Sequence, residues 1–544
     1  MIVRKPIKKA LHQKRLKWLI SLNAFLCLTI FSTAQESFPL LIESTGALDL
    51  NLMDTTASGN IIVAGTFTSS MSYGGTMLTS AGEEDIFLLA LSSGGTLLWL
   101  KNYGGLFDDD VAVLKAEGEQ IWLSGGFRDE AVFDTLSLST PDGSRSLFVL
   151  ELDMEGRIRS HQQYDSPGLK SITGIERGRA HLYLGGYFQG ELSFRDTSLQ
   201  ARGTTDAFLL KMDEKRELVW AFQAGLAGSS RIEQLQLDSE EKLIIAGTYD
   251  DRLVLGEDTL RANTTDKDAF VAKLNTEKQV LWSLKAGGVF DKELVSLKTD
   301  ENGNIYGGGQ LVGVMRFSED LSIESQNGNT DIYWFQLDKD GNPLQAHAYG
   351  GPQAERLTDL LLTPNAIWVS GIFQGQFALD NQFFDAGPGV GSFVIELDPQ
   401  QQQLRTGADI PSTNSVFINQ VLLRGNDLLM AGSFGGPLQL GGQLLDAGAY
   451  FFGLLTSLKG LTTSLRDIQS FDLRIYPIPF DRELFWESER NIKQVLLYDR
   501  SGRLRWRDIG PDRPLQLPSL ESGAYMVLFE ATDGSIAVQW GVKY

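Results

Sequence analysis

Cysteine is all but missing from this 544-residue chain. The one present, Cys27, lies in an apolar stretch near the N-terminus, so the remainder can form no disulfide, thiolate metal site or cysteine nucleophile. Histidine is scarce too. His12, His161, His181 and His347 stand far apart, with no metal-ligand spacing among them, and isolated histidines of this kind are ordinarily packed or solvated. There is no GxSxG elbow, P-loop or HExxH motif. Gly307-Gly308-Gly309 falls inside a strand-like run rather than ahead of a helix, which excludes a phosphate-cradling loop. Positive charge is also short, with 48 Lys and Arg against 69 Asp and Glu and a net charge of -21. Such a polyanion repels nucleic acid and anionic membrane surfaces, and its charge favours solubility.

What positive charge there is gathers at the start. Arg4, Lys5, Lys8, Lys9, Lys14, Arg15 and Lys17 precede an apolar stretch from Trp18 to Phe31, and Ser32-Thr33-Ala34 supplies small residues before Gln35. This predicts a secretory signal peptide over 1–34, cleaved between Ala34 and Gln35, with an uncleaved anchor as the alternative. Leu26 before Cys27 is not the small residue that a lipidated cysteine needs. Cleavage leaves 41 basic against 69 acidic residues and no cysteine. No later segment approaches membrane-spanning length.

The rest is organised by repetition. Gly65, Gly125, Gly186, Gly247, Gly309, Gly371 and Gly432 follow short apolar runs at intervals of 60, 61, 61, 62, 62 and 61 residues. An aromatic keeps step: Phe87, Phe148, Phe208, Phe270, Tyr333, Phe393 and Phe451. In the second unit, four short β-rich runs (Val111 to Lys115, Gln120 to Phe127, Leu147 to Leu152, Ile158 to Tyr164) are divided by Gly and acidic turns, with no helix-period segment between them. Four antiparallel strands in about sixty residues match a propeller blade, which must stack on its neighbours to cover its apolar faces. The expected fold is therefore all-β: a seven-bladed β-propeller over 35–465, followed by a small C-terminal β-sandwich over 466–544. Solenoid coils are shorter, and one four-stranded sheet makes a poor independent domain.

Further expectations follow from the repeat. The glycines predict crowding where sheets approach the ring axis. The fifth unit, YGGGQL from Tyr306 to Leu311, lacks the aromatic of the others and is expected to pack least well. Apolar pairs between the second and third strands, such as Phe133 with Leu136 and Leu138, predict an edge hairpin, with Gly74-Gly75 and Gly441-Gly442 as turns. The last unit has three clear strands, and Phe38 to Glu43 is a β-like run ahead of the first. That run is expected to supply the missing fourth strand, with Leu458 to Leu465 as its rival.

Two resemblances sharpen the picture. DAFVAKL at 268–274, Leu281-Trp282-Ser283, Gly287-Gly288 and Asn304-Ile305-Tyr306 are similar to the SBBP-type bacterial β-propeller repeat, over most of residues 36–457; the sixth unit departs from it at Gly407-Ala408-Asp409. From about Ile468 the tail resembles the C-terminal sorting domain of the type IX secretion system of Bacteroidetes. It has Tyr476-Pro477-Ile478-Pro479-Phe480, VLLYDRSGRL around Gly502, LPSLESGAYMVLF with Gly523 and Tyr525, and a final strand ending near Lys543. Ile478 replaces the usual Asn, and the terminal WGVKY follows the family pattern loosely. The resemblance implies export to the periplasm, recognition of the folded tail by an outer-membrane machine, and release or surface attachment.

Loops from each fourth strand to the next first strand should share one face of the ring. They carry the candidate ligand residues Asp109, Asp110, Arg231, Asp291, Glu293, Glu355 and Arg356. A solvated rim of charges is the simpler account of them. Two Asp-rich turns, Asp300 to Asn304 and Asp338 to Asn342, have oxygen spacing that suits Ca²⁺ but lack the distal glutamate of a complete loop, so no cofactor is expected. Near-uniform repeats favour a non-catalytic, monomeric binding protein with a protein or glycan partner. The alternatives are a polysaccharide hydrolase or lyase using Asp109, Asp110 and Glu293 in the channel, and a surface-layer component.

Overall fold

The computed structural model describes residues 39–457, except positions 141–142, 166–167, 195–196, 264–265, 327, 381, 426 and 441–442, and in the C-terminal part 473–476, 480, 482–488, 490–499, 504–510, 514–517, 520, 522–532 and 536–543. The signal segment with Ala34 and Gln35, the turn Gly441-Gly442, the run Leu458 to Leu465, and Pro477, Pro479 and Gly502 lie outside the described residues. Regular structure in the described residues is entirely β. Among the described residues no helix is long and apolar enough to cross a membrane.

Each glycine of the period occupies the second strand of a four-stranded antiparallel meander. In the second unit the strands are Asp110–Glu117, Gln120–Arg128, Arg145–Asp153 and Ile158–Tyr164, paired in that order. The first strands of the others are Leu48–Thr55, Lys170–Arg177, Ser230–Leu237, Lys292–Thr299, Glu355–Leu362 and Ser415–Arg424.

The glycine answers to a bulge. Beside each one the first strand slips by a residue, as between Leu50 and Leu52 or Val111 and Val113, and a main-chain carbonyl turns inward. A Cβ on Gly65 would lie 2.0 Å from Asp49 O and 2.8 Å from the Phe87 ring; on Gly125 it would lie 1.9 Å from Asp110 O. The crowding thus comes from the unit's own first strand and its third-strand aromatic, rather than from adjacent sheets near an axis as expected. The pairing also corrects the second mark: Phe87 to Phe393 face their glycines, but in the last unit Leu454 faces Gly432 and Phe451 faces Gly435. Nor is the fifth unit loosely filled. Ile305–Leu311 is buried throughout, because the Phe335 ring enters the space at Gly307, where a Cβ would be 2.3 Å away.

The apolar cores lie between units. Ile62, Ile86 and Tyr103 of the first pack with Ile121, Phe133 and Phe148 of the second. The same sharing joins second to third, third to fourth, and onward to the seventh. Leu429, Ala431 and Leu455 of the last then pack with Leu48, Leu50 and Ile61 of the first. A buried Leu or Phe contributes roughly 1.5–3 kcal/mol, none of which a unit has when alone. Edge hairpins add main-chain bonds across the seams. Glu130–Phe133 pairs with Tyr103 to Gly105, and Val314–Arg316 with Gly287 and Gly288. Leu40–Ser44 pairs with Gln443–Ser457, Leu41 opposite Leu454, and on its C-terminal side with the hairpin strand Ser70–Tyr73 of the first unit. Four-stranded units stacked face to face on shared cores are the arrangement of a β-propeller.

In the tail, Leu473–Tyr476, Glu483–Ser488 and Leu515–Gln516 form one sheet, and Leu504–Ile509, Ile492–Asp499, Gly523–Ala531 and Ile536–Lys543 another. Both contribute to one core around Phe480, Leu484, Trp486, Val495, Val527 and Phe529.

Candidate functional site

The first strands are linked to one another by side chains in sequence. Asp54 Oδ2 accepts from Ala116 N at 2.7 Å, and Lys115 Nζ meets Glu176 Oε2 at 2.5 Å. Thr173 donates to Ile232 O at 2.7 Å, Gln234 to Val295 O at 2.6 Å, and Ser296 to Asp359 Oδ1 at 3.2 Å. Thr358 donates to Ile418 O at 2.6 Å, and Asn419 Nδ2 returns to Leu50 O at 2.9 Å. The space these strands line is a channel of about 440 Å³. Burial raises Asp54, Glu176 and Asp359 above the usual carboxylate range, opposed by Lys115 at the first two and by Lys298 at all three. Lys298 makes no ion pair of its own among the described residues. Strand alternation alone does not tell which of these residues face a channel, so sequence reasoning missed them.

The loop residues singled out from the sequence divide into two kinds. Asp109 and Glu355, expected at an exposed rim, are buried to 1% and 0% exposure. Asp109 immediately precedes a first strand and Glu355 opens one, and each accepts from a backbone N–H four residues earlier: Asp109 Oδ2 from Gly105 N at 2.7 Å, Glu355 Oε2 from Gly351 N at 3.0 Å. Burial pushes Asp109 up to about 7 and Glu355 up to about 8, with Asp85 and Asp331 respectively adding to the rise. Their carboxylates brace these loops from within the fold instead of standing at the surface. The remainder stand outside: Asp110 pairs with Arg145, Arg231 lies 4.4 Å over the Tyr187 ring, Asp291 accepts from Lys267 N at 3.0 Å, Glu293 accepts from Gln310 at 2.6 Å, and Arg356 is exposed.

Apolar tips on the same loops escaped the sequence reading. Leu106 (71% exposed), Phe107, Leu169, Leu226, Val289 and Phe290 (55%) project from the loops that follow the fourth strands. Buried lysines tie them down. Lys292 donates to Val289 O at 2.6 Å and to Phe290 O, and Lys170 to Arg145 O at 2.7 Å. Burial lowers the Lys292 ammonium. Phe290 takes a φ of 65°, a left-handed conformation costly for an aromatic residue. Leu106, Phe107 and Val132 also line a hollow of about 440 Å³ at the first seam. Rigid, exposed apolar side chains on one face are what a docking partner buries.

The other candidates have structural places. Asp300 and Asp338 accept from main-chain N–H groups of their own turns and from Asn304 and Asn342, at 2.7 to 2.9 Å. His347 lies beside Trp334 and Tyr349 at ring distances of 6.2 and 6.3 Å, and burial lowers it. In the tail, Tyr476 stacks on Phe485 at 5.6 Å, Phe480 packs near Tyr525 at 6.2 Å, and Gly523 pairs with Lys543.

No family model matches the chain. It is 26% identical to regulatory protein FlaEY of Caulobacter vibrioides over 275 residues, covering 48% of this chain and 28% of that protein. It is 20% identical to an uncharacterized WD repeat-containing protein of Acanthamoeba polyphaga mimivirus over 261 residues, 39% of this chain and 19% of the other. The chain therefore spans under a third of either relative. Among solved structures, the Dos1 propeller overlaps 77% of this chain and 95% of its own at 10% identity and a TM-score of 0.37. An acylaminoacyl peptidase of Pyrococcus horikoshii overlaps 82% and 58% at 12% identity and a TM-score of 0.37. Overlap at these scores carries no residue-by-residue correspondence.

Proposed function

We propose that this chain is an exported, closed seven-bladed β-propeller acting as a non-catalytic binding scaffold, with residues 466–544 as a small β-sandwich that serves as a type IX sorting domain. Its partner is a protein or glycan held against the loop face. The observation that carries this reading is the set of exposed tips, Leu106, Phe107, Val289 and Phe290, pinned from behind by Asp109 and Lys292. A rigid presenting surface lowers the ordering cost of binding. Closure is supported by the circle of first-strand hydrogen bonds and by the pairing of Leu40–Ser44 with Gln443–Ser457. The sorting role is supported by the order of the tail motifs around one shared core.

The test is expression, with and without residues 466–544, in a bacterium that has the type IX machinery. The full chain should reach the cell surface or medium and the truncated one should not. Collected protein should retain members of a glycan or protein panel without degrading them, and Phe107→Ser with Phe290→Ser should abolish retention. Turnover of a polysaccharide that is lost in Asp110→Asn would overturn the reading in favour of a hydrolase or lyase.

A further inference from the structure

An indole stitches three of the seams on the face opposite the ligand loops. Trp99 Nε1 donates to Met154 O at 2.9 Å, Trp220 Nε1 to Thr276 O at 3.0 Å and Trp282 Nε1 to Lys339 O at 3.4 Å, each reaching the third-to-fourth turn of the next unit. These tryptophans stand opposite Ala90, Lys211 and Lys273 in strand register. The same register position in the second unit, opposite Glu151, is Ser160. A hydroxymethyl group replaces an indole there, and a cavity of about 360 Å³ opens between the second and third units.

The walls of this cavity are cationic in an otherwise acidic protein. Arg177, Arg179, Lys215 and Arg216 line it against Glu151 and Glu214. Glu151 is already satisfied, accepting from Gln120 at 2.5 Å, Ser160 at 2.8 Å and Arg216 at 2.9 Å. Arg216 is fixed, with its guanidinium 4.6 Å over the Trp122 ring. Arg177 and Lys215 make no ion pair among the described residues. Gln120 lines the cavity, and its Oε1, buried in this conformation, accepts no hydrogen bond; a turn of the amide presents it to a ligand hydroxyl. Guanidinium forks suit carboxylate, phosphate and sulfate oxygens, and a negatively charged protein keeps such a basic pocket only as a local exception.

We propose that this seam pocket binds a hydroxyl-bearing oxyanion, an acidic sugar carrying a carboxylate, phosphate or sulfate group. Arg177 and Lys215 contact the anion and Gln120 Oε1 accepts from a hydroxyl. The site is separate from the loop face, so its failure and the failure of the scaffold reading are distinguishable.

The experiment is calorimetric titration of the mature protein with glucuronate, glucose 6-phosphate and glucose 6-sulfate, with glucose and inorganic phosphate alongside. At least one acidic sugar should saturate the protein, more weakly as salt rises, and should bind more tightly than glucose or phosphate. Arg177→Gln should weaken binding about tenfold, the loss of one charged hydrogen bond, at an unchanged melting temperature. Ser160→Trp, which installs the residue of the neighbouring seams, should abolish it. Failure of all three acidic sugars to bind, or binding unaffected by both variants, overturns the proposal. Equal affinity for inorganic phosphate overturns the assignment to a sugar.

Discussion

At the scale of single residues, buried ionisable groups decide how this protein responds to pH. Burial raises Asp109 to about 7, Asp331 to about 6 and Glu355 to about 8. In an unfolded chain such carboxyls lose their protons near about pH 4. Between that value and about pH 8 the folded protein therefore holds protons that the unfolded chain has released, so stability falls as pH rises through this window. Thermal unfolding should occur at a lower temperature at pH 8 than at pH 5. Glu355→Gln, which imitates the protonated acid, should flatten that slope and be neutral or stabilising at pH 8; a slope of the opposite sign would contradict the burial argument. The sequence shows where these acids lie but not that they are buried. Strand periodicity places Asp109 and Glu355 next to a loop, and only the folded loop turns Gly105 N and Gly351 N back onto them. A related pairing is hidden in the repeat itself. Third-strand Asp85, Asp206, Asp268 and Asp331 press against Gly104, Gly225, Gly287 and Gly350, where a Cβ would meet the carboxyl at 2.2 to 2.6 Å. In the second unit the two members change together, and Ser146 donates to Asp165 at 2.6 Å.

At the scale of strands and turns, a unit is completed by what it gives its neighbour. The third-to-fourth turn holds a left-handed residue in six units: Gly95, Gly156, Arg216, Lys278, Gly341 and Gln402. The preceding indole covers that turn in three of them. A Cβ on Gly156 would touch the Trp99 ring at 3.1 Å, and one on Gly341 the Trp282 ring at 2.7 Å. Trp99→Ala should therefore cost about 2 kcal/mol, less than a fully buried tryptophan because the ring is half exposed. A denaturant titration reads this directly, and a change within about 0.5 kcal/mol would mean that the seam does not depend on the indole. The four-strand meander and the edge hairpins were legible in the sequence, since alternation and Gly-rich turns carry that information. The bulge beside each glycine was not, because a one-residue slip leaves the composition of a strand unchanged. Nor was the place of Leu454, since the last unit's longer strands shift its aromatic three positions away from Gly432.

At the scale of the whole molecule, the regular period made the architecture readable, while both proposed binding surfaces lie where the units differ. Exposed tips occur on some loops and not others, and the cationic cavity lies at the seam where Ser160 stands between the units of Trp99 and Trp220. Repetition accounts for stability, since each apolar face is covered by its neighbour, but it leaves the first and last faces to be covered by each other. The N-terminal strand Leu40–Ser44 meets this need by lying against Gln443–Ser457 while touching the hairpin of the first unit. Cys27 is the single cysteine of the sequence, so protein expressed as residues 35–544 offers no competing thiol. The most direct measurement is therefore a disulfide between Leu41→Cys and Leu454→Cys, residues directly opposite in this pairing, read by mass spectrometry of the non-reduced digest. A closed ring predicts a single intramolecular link between the two peptides in nearly every molecule. Two free thiols, or links formed solely between molecules, would contradict it.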